Sequence, residues 1–227
     1  MIVVIDGPAG SGKSSTAKEV ANRCGLEYID SGALYRTCSV LYLKYGENKN
    51  NKSDNENASF RKYLESFNIT FKYKDKTFYV FLDKHDITDS LRKVEVAECV
   101  SSVAAMPEVR EFVNNLMNES AQHKNLIADG RDLGTHVFPN ADLKFYMIAD
   151  LDTRAERRYE ELKGMEGNIS LEEIKENIKK RDLSDSTRTV SPLRKADDAI
   201  EIDTTNLTFN EQVQLICNNV RPHFTQL

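Results

Sequence analysis

Near its start the chain reads Gly7-Pro8-Ala9-Gly10-Ser11-Gly12-Lys13-Ser14, an eight-residue stretch that fits the pattern G-x-x-x-x-G-K-[ST]. The β-branched run over residues 2–5 predicts a buried parallel strand before it, and apolar residues at helical spacing predict a helix over 13–24. Glycines at such a strand-to-helix turn let backbone N–H groups point at phosphate oxygens, and the helix N-terminus also favours negative charge. The stretch therefore predicts a phosphate-binding loop, or P-loop, in an α/β protein.

Two side chains in this loop have predicted chemical roles. Lys13 is expected to reach the β- and γ-phosphates of ATP, and the hydroxyl of Ser14 is expected to ligate Mg²⁺. ATP and Mg²⁺ are therefore the expected cofactors. The residues expected to contact ATP are Gly7, Pro8, Ala9, Gly10, Ser11, Gly12, Lys13, Ser14 and Ser15.

Strand and helix patterns alternate along most of the chain, which is typical of a P-loop NTPase core, a parallel β-sheet flanked by helices. Further strands are predicted over 28–30, 126–130, 143–148 and 199–203, and further helices over 34–45, 94–104, 152–163, 170–183 and 209–220, with Gly46 ending the second helix.

One region departs from this alternation. The run 47–57 has no apolar residue and predicts a solvated loop, whereas 69–73 and 77–82 alternate in hydrophobicity and predict a β-hairpin. We therefore expect an inserted antiparallel subdomain over 58–90, within a core made of 1–57 and 91–227.

Composition limits the possible partners. The chain of 227 residues has 31 Lys and Arg against 36 Asp and Glu, a net charge of -5, which argues against binding nucleic acid by bulk electrostatics. No apolar run approaches the ~18 residues of a membrane-spanning helix, and the first residues leave no room for a signal peptide. We expect a cytoplasmic, monomeric protein that binds small molecules rather than nucleic acid or a membrane. The cysteines are too scattered for a disulfide framework or a zinc site: Cys24, Cys38, Cys99 and Cys217.

A P-loop alone does not distinguish a GTPase from a transferase. The run Asn51-Lys52-Ser53-Asp54 fits the guanine-binding pattern N-K-x-D, but it lies in a wholly polar stretch rather than at the end of a buried strand. No Asp stands three positions before a Gly, so the D-x-x-G of GTPases is missing. A phosphotransferase is the better interpretation.

Such an enzyme needs a second anion site opposite the P-loop. After the second predicted strand comes the run Asp30-Ser31-Gly32-Ala33-Leu34-Tyr35-Arg36. At the end of the predicted strand over 126–130 lies Asp129-Gly130-Arg131-Asp132. Open α/β sheets bind ligands outside the carboxyl ends of their strands, so Arg36 and Arg131 are candidates for binding a phosphate.

The segment from Arg181 to Arg188 predicts a lid over the phosphates, within a lid region of about 155–188. Guanidinium groups stabilise the oxygens of a phosphoryl group in transfer. Three upstream arginines at helical spacing either add to this lid or form a solvated face with neighbouring glutamates: Arg154, Arg157 and Arg158.

These segments carry a resemblance that runs in order along essentially the whole chain. The chain resembles the bacterial cytidylate kinases, which transfer the γ-phosphate of ATP to CMP or dCMP and carry an enlarged nucleotide-monophosphate domain. The matching segments are residues 7–15, 30–36, 103–107 with Arg110, 128–135, 137–139, and 181–188 followed by Pro192-Leu193.

The resemblance implies a role for each matching site residue. Cytosine would be contacted by Ser31, Ser101, Arg110 and Asp132; the CMP phosphate by Arg36, Arg131 and Arg188; and the ribose hydroxyls by Asp185 with Arg181. The catalytic set would be Lys13, Arg131, Arg181 and Arg188. A carboxylate acceptor such as Asp132 suits the exocyclic amine of cytosine and disfavours the O4 of uracil.

The chain departs from the family at two places. Ser14-Ser15 stands where many relatives have Gly-Thr, and the 181–188 segment is poorer in charge, which predicts weaker ATP binding by the lid. Two other functions remain open from the residues alone: another P-loop kinase of a small molecule or nucleotide, and an ATP-binding regulator without turnover.

Overall fold

The structure, a computed structural model, describes residues 1–51, 60–163 and 169–224. In chain order the strands and α-helices are β1 (Ile2–Asp6), α1 (Lys13–Cys24), β2 (Glu27–Asp30), α2 (Ser31–Asn51), α3 (Phe60–Glu65), β3 (Ile69–Lys74), β4 (Thr77–Leu82), β5 (His85–Asp86), α4 (Val94–Ala104), α5 (Pro107–Ala121), β6 (Leu126–Gly130), β7 (Leu143–Ile148), α6 (Leu151–Leu162), α7 (Leu171–Thr187), β8 (Ile200–Asp203) and α8 (Phe209–Val220).

The strand that precedes the P-loop is the central strand of a five-stranded sheet with the order β2-β6-β1-β7-β8. β1 pairs in parallel with β6 on one side and with β7 on the other, and β7 pairs in parallel with β8. Val3, Val4 and Ile5 are fully buried, as a strand covered on both faces requires. The predicted α/β fold with a parallel sheet is confirmed.

The chain forms two compact units. One unit, here the P-loop unit, comprises Met1–Glu27 and His123–Leu227, and the other, here the insert unit, is the continuous stretch Tyr28–Gln122. The insert unit contains the hairpin region 58–90 and also α2, α4 and α5. The boundaries 58–90 for a separate subdomain stay a prediction.

The predicted hairpin is confirmed. β3 and β4 pair antiparallel, with Lys74 opposite Thr77, and Asp75 and Lys76 between them have φ of 49° and 64°. Two successive residues with positive φ make the tight turn whose twist matches that of the flanking strands. Alternate residues of β4 are buried, so one face of the hairpin packs inside the insert unit.

The predicted end of the second helix is wrong. α2 extends from Ser31 to Asn51 and passes through Gly46, so the start of the predicted solvated loop is helical. An exposed glycine costs a helix only about 1 kcal/mol, and neighbouring Glu and Lys residues are good helix formers, so propagation continues. The remainder of the predicted loop, including residues 52–54 of the N-K-x-D run, lies outside the described residues.

Replacing Gly46 by Ala should raise the free energy of unfolding by about 0.5–1 kcal/mol, because alanine loses less backbone entropy in a helix. No atom lies within 4 Å of the position that a Cβ would take there. The measurement is urea denaturation of both proteins. Gly46→Ser is the graded control and should give a smaller gain, in the order of helix propensity; equal stability of all three proteins would contradict the prediction.

α6 and α7 form a helix pair in the P-loop unit. Ala155 of α6 packs with Ile174 and Ile178 of α7 in a small apolar core. α7 begins with a capping box between Ser170 and Glu173, which satisfies backbone donors at its first turn. The helix runs to Thr187, four residues beyond the predicted end, so most of the predicted lid segment is helical.

Within the parts of the chain that the structure describes, no helix combines the length and the apolar character needed to cross a bilayer.

Candidate active site

The P-loop connects β1 to α1 and has the backbone conformation that its glycines predict. Gly10 and Gly12 have φ of 76° and 86°, in the left-handed region that favours glycine, and Gly12 is the N-cap of α1. The first N–H groups of a helix have no partner inside the helix. This turn therefore presents backbone donors and the positive end of the α1 dipole at one place, which suits a phosphate group.

Lys13 is the first residue of α1, and its side chain returns over the loop. Its Nζ donates a hydrogen bond to the carbonyl oxygen of Pro8 at 3.2 Å, and the residue is only 5% exposed. Burial, together with the positive charges of Arg131 and Arg181, lowers the pKa of Lys13 to about 7, although the carboxylates of Asp129 and Asp185 oppose this effect. The charges of Arg131 and Arg181 therefore act on Lys13 at the P-loop.

A carboxylate lies beside the P-loop serine. The hydroxyl of Ser14 donates a hydrogen bond to Oδ2 of Asp129 at 2.5 Å. Asp129 is buried in β6, directly opposite Ile5 of β1 in the parallel register. Sequence reasoning named only Ser14 as a metal ligand and missed Asp129. The available signal was an Asp at the carboxyl end of an apolar strand predicted to belong to the same sheet.

Two ion pairs join the segment after β6 to the end of α7. Arg131 Nε donates to Oδ2 of Asp185 at 2.8 Å, and Arg188 Nη2 donates to Oδ1 of Asp132 at 2.8 Å. A third contact of 3.5 Å joins Arg188 Nη1 to Oδ1 of Asp185. Four of the residues that sequence reasoning selected are thus in direct contact, and acidic and basic groups alternate in the cluster.

Asp6, the last residue of β1, contacts the backbone that follows Asp132. Its carboxylate accepts hydrogen bonds from the backbone N–H groups of Leu133 at 3.0 Å and Gly134 at 2.7 Å. These residues begin a short π-helical turn immediately after Asp132, a conformation found often at functional sites. Burial raises the pKa of Asp6 to about 6, although the two N–H donors oppose this effect. Sequence reasoning did not identify Asp6.

The three upstream arginines on α6 make different contacts. Arg154 pairs with Asp182 of the 181–188 segment, as the lid interpretation expects. Arg157 donates to the carbonyl oxygens of Ser11, at 3.4 Å, and Thr204, at 2.6 Å, so it contacts the P-loop backbone. Arg158 is exposed and pairs with Glu161 one turn along the helix at 2.8 Å. Arg157 thus contacts the P-loop rather than the lid, and Arg158 lies on a solvated face.

The other selected residues lie in the insert unit, on three helices. Ser31 is the buried first residue of α2, and Arg36 on the same helix lies 3.7 Å from the carboxylate of Asp30. Ser101 is on α4 and Arg110 is on α5. The two units thus each carry part of the predicted substrate set.

Arg110 is an unusual residue of the insert unit because it is a cation that is only 2% exposed. Its Nη1 donates to the carbonyl oxygen of Ala104 at 3.2 Å, and its guanidinium lies 5.4 Å from the ring centroid of Tyr35. Arg110 of α5 therefore contacts the end of α4 and a ring of α2.

Comparison with known proteins identifies the family of this chain. The family model described as Cytidylate kinase matches residues 3–222. A cytidylate kinase of Cytophaga hutchinsonii is 43% identical over 220 residues, which are 96% of this chain and 92% of that protein. The crystal structure of an uncharacterized protein from Eubacterium ventriosum has the same fold at a TM-score of 0.51 and 12% identity, over 97% of this chain and 98% of that chain. The chain therefore belongs to the cytidylate kinase family of P-loop phosphotransferases.

Proposed function

We propose that this protein transfers the γ-phosphate of ATP to CMP and dCMP, with CDP and dCDP as products. Membership of the cytidylate kinase family names the reaction. The observation that supports it in the structure is the P-loop turn itself, over which Lys13 Nζ donates to Pro8 O, with the charges of Arg131 and Arg181 acting on that lysine. Phosphoryl transfer depends mainly on positioning and on neutralising charge, and this cationic group supplies both.

ATP would bind along residues 7–15. The N–H groups at the start of α1 would bind phosphate oxygens, and Lys13 would contact the β- and γ-phosphates. Ser14 and Asp129 would hold Mg²⁺, since a hydroxyl and a carboxylate in contact are oxygen ligands of the kind that this ion prefers. When bound, Mg²⁺ supplies positive charge at the phosphate oxygens.

ATP binding should take up protons above neutral pH. With a pKa of about 7, Lys13 is mostly neutral at pH 8 in the free protein, whereas a bound phosphate favours the charged form. We expect an uptake of about 0.9 proton per ATP at pH 8 and about 0.5 at pH 7. Calorimetry in two buffers of different ionisation enthalpy measures this number. No uptake at pH 8 would contradict the prediction.

CMP would be bound by the residues that the resemblance selected. Arg36, Arg131 and Arg188 would bind its phosphate, Asp185 with Arg181 would hold the ribose, and Asp132 would accept from the exocyclic amine of cytosine. The remaining base contacts would come from Ser31, Ser101 and Arg110. The contacts of Arg131 and Arg188 with acidic groups support this assignment, because they hold both guanidinium groups in fixed orientations.

The transfer would be direct and in line, without a covalent enzyme intermediate. The acceptor is a phosphate oxygen that is already ionised, so no general base is needed. Lys13 and the arginines would neutralise the moving charge, and the lid region 155–188, part of the core of 1–57 and 91–227, would cover the phosphates and exclude water. The 58–90 subdomain would contribute to CMP binding. We further propose a cytoplasmic monomer with no nucleic-acid or membrane partner.

The test is ADP release from Mg-ATP in a coupled assay, with CMP, dCMP, UMP, AMP, GMP and no acceptor in parallel. Turnover with CMP and dCMP alone supports the proposal and the base contacts. Turnover with another acceptor would favour a different nucleotide kinase. Binding of ATP without turnover in any well would favour a regulator. Asp132→Asn should change the preference between CMP and UMP only if a base lies at that carboxylate.

A further inference from the structure

Both backbone polar groups of Ala9, in the middle of the P-loop, are hydrogen-bonded by side chains to which the proposed function gives no role. Its N–H donates to Oδ1 of Asp182 at 3.1 Å, and its carbonyl oxygen accepts from Nη1 of Arg154 at 3.0 Å. Arg154 also pairs directly with Asp182, and its Nε donates to the carbonyl oxygen of Ala149 at 3.0 Å. Asp182, Arg154 and the backbone of Ala9 therefore each contact the other two.

The two side chains come from different helices of the same unit. Asp182 is on α7 and Arg154 is on α6. Arg154 is 9% exposed, and a Cβ at Gly10 would lie 3.0 Å from its carbonyl oxygen, so the start of α6 packs directly on the loop. Asp182 therefore connects α7 to the P-loop backbone through its hydrogen bond with Ala9.

We propose that Asp182 is a positioning residue for phosphoryl transfer. It fixes α7 against the P-loop and thereby keeps Arg181, its neighbour in sequence, beside Lys13. The proposal rests on the proposed function, because Arg181 matters only if a phosphoryl group is transferred there.

The geometry of α7 relates Asp182 to the two arginines of the site, Arg131 and Arg181. Residues three apart on a helix lie on one face, so Asp182 and Asp185 share the face of α7 that meets the P-loop region. Asp182 contacts Ala9, and Asp185 contacts Arg131 at 2.8 Å. Arg181 lies close enough to Lys13 for its charge to lower the pKa of that lysine.

Loss of Asp182 would affect both the P-loop backbone and Arg154. The Ala9 N–H would lose its acceptor, and the buried guanidinium of Arg154 would lose its carboxylate partner. A shift of about 1 Å in a charged group at a reacting centre can cost about 100-fold in rate. We therefore expect Asp182→Ala to lower kcat with CMP by about 100-fold, with a smaller change in the KM for CMP.

Two further variants separate positioning from general stabilisation of the helix pair. Asp182→Asn keeps an oxygen acceptor for the Ala9 N–H and should recover most of the lost kcat. If Asp182→Ala does not fold, Asp182→Asn is the variant compared with the wild type. Lys175→Ala removes a second ion pair between α6 and α7, in which Lys175 lies 2.8 Å from Asp152 on the exposed side. This control should keep kcat within about twofold.

A double-mutant cycle with Arg181→Ala is the decisive experiment. If Asp182 acts through Arg181, the double variant should be no slower than Arg181→Ala alone. Multiplied losses, or an equal loss in Lys175→Ala, would overturn the proposal and leave Asp182 a structural residue. Wild-type turnover with CMP is measured in the same series and tests the proposed function separately. The rate of each variant is expressed as a ratio to the wild-type rate, so failure of the proposed function would show in the wild-type enzyme itself.

Discussion

Replacing Lys13 by Met should lower kcat with CMP by about 100- to 1,000-fold, the cost of removing one preorganised charge from a transition state. Methionine is also unbranched and nearly as long as lysine, so it can follow the same path over the loop to Pro8. The substitution removes a cation that is only 5% exposed. The melting temperature should therefore not fall, and the loss of rate cannot be attributed to unfolding.

The measurement is the coupled ADP-release assay at saturating Mg-ATP and CMP, with thermal unfolding of the same samples. The matched control is Lys18→Met, a lysine of the same helix α1 with no role in the proposed site. It should keep kcat within about twofold. A Lys13→Met enzyme that retained a tenth of the wild-type kcat would contradict the assignment of Lys13.

Arg188→Ala should lower kcat/KM for CMP by at least about 100-fold. Its guanidinium pairs with Asp132 at 2.8 Å, and its Nε donates to the carbonyl oxygen of Ser191 at 2.6 Å. Removing one partner of a largely buried ion pair also costs about 3 kcal/mol of stability. Both a slower enzyme and a lower melting temperature are therefore expected, unlike the result for Lys13.

Arg188→Lys separates the two effects of the arginine. It keeps the positive charge beside Asp132 but lacks the planar fork that binds a carboxylate and a phosphate, so it should regain stability more fully than kcat/KM. Arg158→Ala is the control, since that exposed arginine pairs only with Glu161 within α6 among the contacts described above. Near-normal turnover of Arg188→Ala would remove Arg188 from the catalytic set.

Local patterns were enough to predict the elements that carry the chemistry. The P-loop, the helix over 13–24 and the 69–82 hairpin depend on residues close in sequence, and the structure has each of them. The prediction failed where two local signals compete. Gly46 was interpreted as a helix end, but the helix-forming residues around it outweigh the cost of one glycine.

Contacts between distant residues could not be predicted in this way. Ser14 and Asp129 are 115 positions apart, and Ala9 and Asp182 are 173 positions apart. Nothing in the sequence near Asp182 indicates that it binds a loop backbone, and the resemblance selected only its neighbours Arg181 and Asp185. The ion pair between Arg188 and Asp132 was likewise not predicted, although both residues were selected for the site.

The order of strands has a consequence for how the protein is synthesised. Val3 of β1 pairs with Ile127 of β6 and with Leu143 of β7. A ribosome that adds about 5–20 residues per second makes Ile127 about 6–25 s after Val3. During that interval the P-loop motif is complete in sequence but lacks both strands that flank it, whereas Tyr28–Gln122 emerges as one continuous stretch. A nascent chain stalled before Leu126 should therefore not yet bind ATP.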